Sequence, residues 1–132
     1  MEVKFTNDHF QKLLLGLQLF NKEMFWECHE ELEHHWLEDT SDQARYVYWA
    51  VIQVAASLYH VKRENLKGAV SLIQKANEKI KICHQFQFDK EISLQKVNWH
   101  LFVQLITELN DRIPDISLQD FDKMMEFKWI LE

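Results

Sequence analysis

Apolar residues recur every three to four positions through most of this sequence, the spacing that places them on one face of an α-helix. The first such stripe runs from Phe10 to Leu17. Polar breaks such as Asn21 and the run Asp39-Thr40-Ser41-Asp42 separate the stripes and supply capping oxygens. The predicted helices cover residues 7–20, 23–38, 42–63, a fourth helix capped by Asn65, residues 91–110, and a short terminal helix that opens at Ser117. The pattern predicts an all-α fold, a single-domain bundle of five to six helices over residues 1–132.

The third predicted helix is apolar on nearly every side, which is typical of a central, buried helix. Gln53 and His60 nevertheless lie on it, on the same stripe as Trp49. Buried polar groups need hydrogen-bond partners, at a cost of roughly 1–3 kcal/mol when they have none. We therefore expect all three residues to be mostly buried, and Gln53 or His60 to bond to the second helix.

The second predicted helix offers the partners. At 100° per residue, His29 falls on the same inward stripe as Phe25 and Trp36, and Glu33 follows His29 by one turn. A short loop joins the second and third helices, so we expect an antiparallel hairpin. The predicted polar cluster is His29, Glu33, Gln53 and His60, with Trp36 near Arg45 or Trp49. Such a cluster is either a structural network that fixes helix register or a small-molecule or metal site.

The spacing His29-Glu30-x-x-Glu33 is similar to the zincin pattern H-E-x-x-H, with Glu in place of the second His. His29 and Glu33 could share one ion, with His60 as a third ligand and Glu30 as a base. However, Glu30 lies about 100° from His29 around the helix, away from the core. Di-iron bundles need two E-x-x-H elements, and the sequence has one. We therefore predict no metal and no other cofactor, and keep metal binding as an alternative.

The composition narrows the partners and the compartment. The chain has 132 residues, 47% of them apolar, with only 2 Gly and 1 Pro, too few for a turn-rich β fold. Its net charge of −6 argues against binding to nucleic acid or to an anionic membrane. The cysteines, Cys28 and Cys83, lack C-x-x-C spacing and are expected to be reduced thiols. With neither a signal peptide nor a membrane span evident, we expect a cytoplasmic protein.

Two blocks of the sequence resemble the signature of a known family. The block Phe20-Asn21 with Phe25-x-Glu27-x-His29-Glu30-x-Leu32-Glu33-x-x-Trp36 is similar to F-N-x-G-x-[YF]-x-E-A-H-E-x-L-E-x-x-W. The second block comprises Arg45, Ile52-Gln53-x-Ala55-Ala56-x-x-Tyr59-His60 and Asn65-x-x-Gly68-Ala69. Together, over residues 19–76, they resemble the bacterial and archaeal domain-of-unknown-function family 309.

That resemblance implies an all-α bundle and no established activity. Two positions depart from the family pattern. Glu23 stands where the family usually has Gly, in the turn between the first two predicted helices, and Cys28 stands where it usually has Ala. The motif positions that the resemblance marks are Glu27, His29, Glu30, Glu33, Trp36, Gln53, His60 and Asn65.

Two functions remain open. The first is a binding or interaction module for an unknown small molecule or protein partner. The alternative is a hydrolytic enzyme that uses His29 and Glu33, with or without a divalent metal. We also expect a homodimer, because the chain carries 9 Phe, 5 Trp and 3 Tyr. We expect the terminal stripe of Phe121, Met125 and Trp129 to dock on its own bundle, and the alternative is that it forms the dimer surface.

Overall fold

A computed structural model describes residues 4–39 and 41–131. These residues form seven α-helices and one 3-10 helix, and no strand occurs among them. The predicted all-α fold class is confirmed. No helix in the described ranges combines the length and the apolar character needed to cross a bilayer. The helices are α1 (Asn7–Asn21), α2 (Phe25–Glu38), α3 (Arg45–Lys62), α4 (Leu66–Gln85), α5 (Phe88–Ser93), α6 (Trp99–Asp111), a 3-10 helix (Leu118–Phe121) and α7 (Asp122–Glu126).

Helix α3 is the centre of the bundle, as its all-round apolarity predicts. It packs mainly against α4 and α2, and most of its residues from Val47 to Leu58 are buried. The buried hydroxyl of Ser57 donates a hydrogen bond of 2.8 Å to the carbonyl oxygen of Ala69. This bond links α3 to α4 and satisfies a polar group that would otherwise be costly in the core.

Helices α1 and α2 approach closely at Gly16. A Cβ atom at this position would lie 2.4 Å from both Cγ and Cδ2 of Leu32. The turn that joins the two helices passes through Glu23, whose φ is 58°. Left-handed backbone favours glycine, and the motif that this block resembles has Gly at this position. Glu23 also lies 3.2 Å from Lys62 and 3.8 Å from Lys128.

The predicted fifth helix, residues 91–110, is two helices in the structure. Helix α5 ends at Ser93 and α6 begins at Trp99. Lys96, between them, has a φ of 63°, and its amide donates to the carbonyl of Ser93 at 3.0 Å. A left-handed residue ends a helix, and the apolar periodicity on either side of it gave no sign of the break.

The C-terminal stripe is buried against its own bundle. Phe121 and Trp129 are buried and Met125 is half-buried, so the stripe docks on its own bundle, the arrangement that we favoured, and does not form the alternative dimer surface. The i+4 spacing was misleading because the chain leaves the helix at Phe127, whose ψ is 136°. From there alternate residues face inward, as in an extended segment.

Two asparagines hold the backbone of this extended segment. Asn21 donates to the carbonyl of Trp129 at 2.8 Å and accepts from its amide at 2.7 Å. Asn98 donates to the carbonyl of Lys128 at 3.0 Å and accepts from the amide of Ile130 at 2.9 Å. The side chains therefore replace the partner strand that an extended segment would otherwise require.

Candidate functional site

The α2–α3 hairpin is an antiparallel pair fastened at one end by aromatic side chains. The Trp36 and Trp49 rings lie 4.8 Å apart, and Tyr46 stacks on Trp49 at 5.5 Å. The Arg45 guanidinium lies 4.5 Å over the Trp36 ring and donates to the Trp36 carbonyl at 3.2 Å. Trp36 therefore lies beside both residues that the hairpin geometry predicted. At the other end, Trp26 packs on Tyr59 at 5.3 Å.

An open pocket of about 210 Å³ lies between these two ends. Helix α2 supplies one wall, α3 supplies the floor, and α4 supplies part of the opposite wall. Three of the four predicted cluster residues therefore line a single cavity. The residues lining the pocket are His29, Glu33, Trp36, Trp49, Ile52, Gln53, Ala56 and Leu72.

Three polar atoms of these residues are buried without a hydrogen-bond partner in the described part of the protein. They are Gln53 Oε1, His29 Nδ1 and Trp36 Nε1. Gln53 is the most enclosed, with only 6% of its surface exposed. Buried polar atoms are normally paired, and each unpaired one costs roughly 1–3 kcal/mol. Three of the six such atoms in the described residues therefore belong to residues that line this one cavity.

His29 and Glu33 form the titratable part of the pocket. His29 Nε2 lies 3.3 Å from Glu33 Oε2, and the two side chains are 22% and 45% exposed. The other side of the His29 ring stacks on Trp26, with ring centroids 5.0 Å apart. The Trp26 ring and the Glu33 carboxylate therefore both contact the imidazole. His29 is thus turned toward the α2–α3 groove, but it is not sealed in the core.

His60 does not join the cluster. Its Nδ1 lies 3.2 Å from Nδ2 of Asn65, whose side chain also caps α4 by accepting from the Gly68 amide at 3.0 Å. His60 and Trp49 are half-buried, whereas we expected both to be mostly buried with Gln53. The expected bond from Gln53 or His60 to α2 is also absent in the described residues. His60 lies near the C-terminal end of α3, where the start of α4 supplies a nearer partner.

Metal binding by the predicted ligand set is not supported by the geometry. No group of three or more His, Cys, Asp or Glu side chains converges anywhere in residues 4–39 or 41–131. His60, the proposed third ligand, is bonded to Asn65 instead. Of the remaining candidates, Glu27 and Glu30 are exposed and do not line the pocket.

One protein-family model matches part of this chain. Residues 13–72 match the family model described as Domain of unknown function (DUF309). The resemblance to DUF309 is confirmed. The matched range contains every residue that lines the pocket. The pocket is therefore built entirely from the DUF309-matching part of the chain.

A curated relative covers a smaller region. The "Uncharacterized protein YpuF" of Bacillus subtilis (strain 168) is 41% identical over 49 residues, which is 37% of this chain. The aligned segment spans 28% of that relative, well under two thirds of its length. No solved structure matches this chain. DUF309 is described as a domain of unknown function and the relative as uncharacterized, so neither supplies an activity for the pocket.

Lys79, beyond the DUF309 match, is a site neighbour that the sequence analysis missed. Only 8% of it is exposed, and its ammonium lies 4.3 Å over the Trp49 ring and 3.9 Å from Glu78. Burial lowers the pKa of Lys79. Lys79 follows Leu72 by seven residues and so shares its face of α4. That spacing could have placed Lys79 on the inward face of α4, whereas its contact with Trp49 depends on how α4 lies over α3.

The cysteines are buried and unpaired, and they stand apart from the pocket lining. Burial raises the pKa of both Cys28 and Cys83 well above the ordinary value for a thiol. A protonated, enclosed thiol is a poor nucleophile and a poor metal ligand. Cys28 therefore fills space in the core, at the position where DUF309 usually has Ala.

Proposed function

We propose that this protein is a binding module that takes a small polar molecule into the pocket between α2 and α3. The observation that carries the proposal is Gln53, an almost fully enclosed amide whose Oε1 has no partner in the described protein. A bound molecule would supply the missing hydrogen bond.

The size and walls of the pocket agree with a small ligand. At roughly 30 Å³ per water molecule, a volume of about 210 Å³ corresponds to about seven waters. Trp36 and Trp49 offer apolar surface, while Gln53 and His29 offer polar atoms to orient a guest. A few polar groups among aromatic walls are typical of a small-molecule site.

The variant Gln53→Leu tests the proposal because it keeps the volume and removes the amide. If Gln53 serves a ligand, the variant should be as stable as wild type or more so, since an unsatisfied group is lost. Fragments that perturb the pocket resonances in an NMR screen should bind at least about tenfold more weakly. Gln74→Leu, at an exposed position on α4, is the matched control and should change neither property.

The competing structural interpretation makes the opposite forecast. If Gln53 belongs to a network that fixes helix register, Gln53→Leu should lower the free energy of unfolding by about 1–3 kcal/mol. Such a loss, together with a screen that finds no pocket ligand, would refute the binding proposal.

A hydrolase that uses His29 as a general base is the second candidate. The 3.3 Å contact between His29 and Glu33 favours it, since a carboxylate that orients an imidazole is a common arrangement for proton transfer. The test is a panel of activated esters and amides. Hydrolysis that disappears in His29→Ala, while the variant remains folded and still binds the substrate, would support catalysis over binding alone.

We further propose a cytoplasmic location and a homodimer. Two unpaired, enclosed cysteines fit a reducing compartment. Since the terminal stripe is buried, a dimer would have to use other apolar residues, of which Leu94, Leu101 and Ile130 are exposed. Light scattering at high micromolar concentration should give twice the monomer mass, and a monomer there would contradict the dimer.

A further inference from the structure

We propose that the ligand of this pocket carries a planar cationic group, an amidinium or a guanidinium, that is bound by Glu33. The inference rests on the proposed binding function and adds the chemical class of the guest. Among the described residues that line the pocket, Glu33 is the only Asp, Glu, Lys or Arg. At 45% exposed, Glu33 borders the opening, where an incoming cation would meet it.

The pocket combines unpaired polar atoms with a carboxylate. Gln53 Oε1 is an unpaired acceptor and Trp36 Nε1 an unpaired donor, while the unpaired Nδ1 of His29 accepts or donates according to the tautomer of the ring. Glu33 adds carboxylate oxygens, one of them 3.3 Å from His29 Nε2. A guest rich in N–H donors matches Gln53 Oε1 and the Glu33 carboxylate, whereas a carboxylate or phosphate would face repulsion from Glu33.

The flat aromatic wall favours a planar guest over a compact one. Amidinium and guanidinium groups are flat and weakly hydrated, so they stack on indole rings and lose less solvation than a compact ammonium. The protein already uses this interaction beside the pocket, where the Arg45 guanidinium lies 4.5 Å over Trp36. Arg45 and Lys79 also place two positive charges near the tryptophans. These charges oppose a guest that presents its charge to the rings alone, so the carboxylate of Glu33 must carry the recognition.

Three probes of nearly equal shape separate charge from fit: benzamidine, benzamide and benzoate. They present a planar cation, a neutral amide and an anion on the same ring, and each is small enough for a cavity of about 210 Å³. Titration of the full chain by NMR should show benzamidine binding at least about tenfold more tightly than benzamide. Benzoate should cause no saturable shift.

The variant Glu33→Gln tests the role of the carboxylate. It should weaken benzamidine binding by about tenfold and leave benzamide binding unchanged. Glu30→Gln is the matched control, because it makes the same charge change on the same helix at an exposed position outside the pocket. It should leave the affinity of all three probes unaltered.

Three results would contradict the proposed role of Glu33 and the cationic guest. Benzamide or benzoate binding as tightly as benzamidine would overturn the inference about charge and leave the binding function standing. Equal effects of Glu33→Gln and Glu30→Gln would show that long-range charge, not Glu33, attracts the probe, and would also overturn it. Absence of benzamidine binding overturns the inference as well. The proposed function itself is decided separately, by the stability of Gln53→Leu and by the fragment screen.

Discussion

The close approach of α1 and α2 at Gly16 makes Gly16→Ala the most informative stability test. The added Cβ would lie 2.4 Å from Cγ and Cδ2 of Leu32 and 2.8 Å from its Cδ1. Carbon atoms in good contact are about 3.5–4.0 Å apart, so the helices must separate by about 1 Å or Leu32 must leave its packed position. Leu32 is completely buried, which leaves it little room to move.

Two opposing terms set the size of the effect. Alanine in place of glycine inside a helix stabilises it by about 1 kcal/mol. Overpacking a closely packed core costs about 1–3 kcal/mol, and here the clash reaches Cγ and not only the flexible end of the side chain. We expect the packing term to dominate, so that Gly16→Ala lowers the free energy of unfolding by about 1 kcal/mol.

A double-mutant cycle isolates the contact. Leu32→Ala alone should cost about 2–5 kcal/mol because it leaves a cavity. In that background the methyl group at position 16 gains room, so Gly16→Ala should become neutral or stabilising. Gln18→Ala, exposed on α1, is the control for helix propensity. Urea unfolding gives the free energy of unfolding of the wild type, the two single variants, the double variant and the control, provided that their m-values agree.

The close contact between Gly16 and Leu32 is contradicted if Gly16→Ala is neutral or stabilising in the wild-type background, or if the two substitutions are additive. The displaced helix also carries His29 and Glu33, so the same variant should alter NMR shifts at the pocket. Unchanged pocket resonances, alongside the expected loss of stability, would show that Leu32 yields without moving α2.

Three further predictions follow from single contacts. Glu64→Gly should raise stability by about 1 kcal/mol in thermal unfolding, because Glu64 is exposed with a φ of 57°; a lower melting temperature would contradict this. Asn21→Ala should lower the free energy of unfolding by about 1–3 kcal/mol and speed hydrogen exchange at the Trp129 amide, since it removes both hydrogen bonds to that backbone. Unchanged exchange would contradict the role of these two hydrogen bonds. Burial raises the pKa of Asp42, but hydrogen bonds from His9 and a backbone amide outweigh it and hold the pKa below its usual value. Stability from Asp42 is therefore present above the unfolded-state pKa of about 3.9 and is lost as pH falls through the lower folded value. Asp42→Asn should flatten that acid limb in a series of unfolding curves.

Helices α1 to α4 were predictable because their apolar stripes follow the helical period and polar breaks mark their ends. Asn65 is a clear case, since an asparagine before an apolar run is a strong cap and the structure shows it accepting from Gly68. The terminal segment was not predictable by the same rule. Phe121, Met125 and Trp129 have helical spacing, yet the chain becomes extended at Phe127, so periodicity indicated the wrong conformation.

Part of the pocket was likewise predictable from the sequence and part was not. Facing residues of the α2–α3 hairpin follow from a short loop and helical geometry, which is why His29, Glu33 and Gln53 were expected together. The position of His60 depends on where α4 starts, and the enclosure of Lys79 depends on how α4 lies over α3. Both are tertiary facts that the pattern within one helix does not contain.

The packing around Phe20 has a consequence for how the chain folds. Phe20 lies in the DUF309-matching segment, but its ring contacts Phe102, Phe127 and Trp129, at centroid distances of 6.3, 6.2 and 6.2 Å. The hydrogen bonds between Asn21 and the Trp129 backbone join residues 108 positions apart. Closing a flexible loop of that length costs about 4 kcal/mol of chain entropy. Contacts within single helices do not offset this cost, so the contacts must form when the C-terminal segment docks.

The family segment and the C-terminal aromatic residues should therefore gain their order in one cooperative step. Amides in α1 and in residues 127–131 are expected to exchange with the same opening free energy in native-state hydrogen exchange. The sequence motif that identifies the family would then be a recognisable part of this protein without being a separate folding unit.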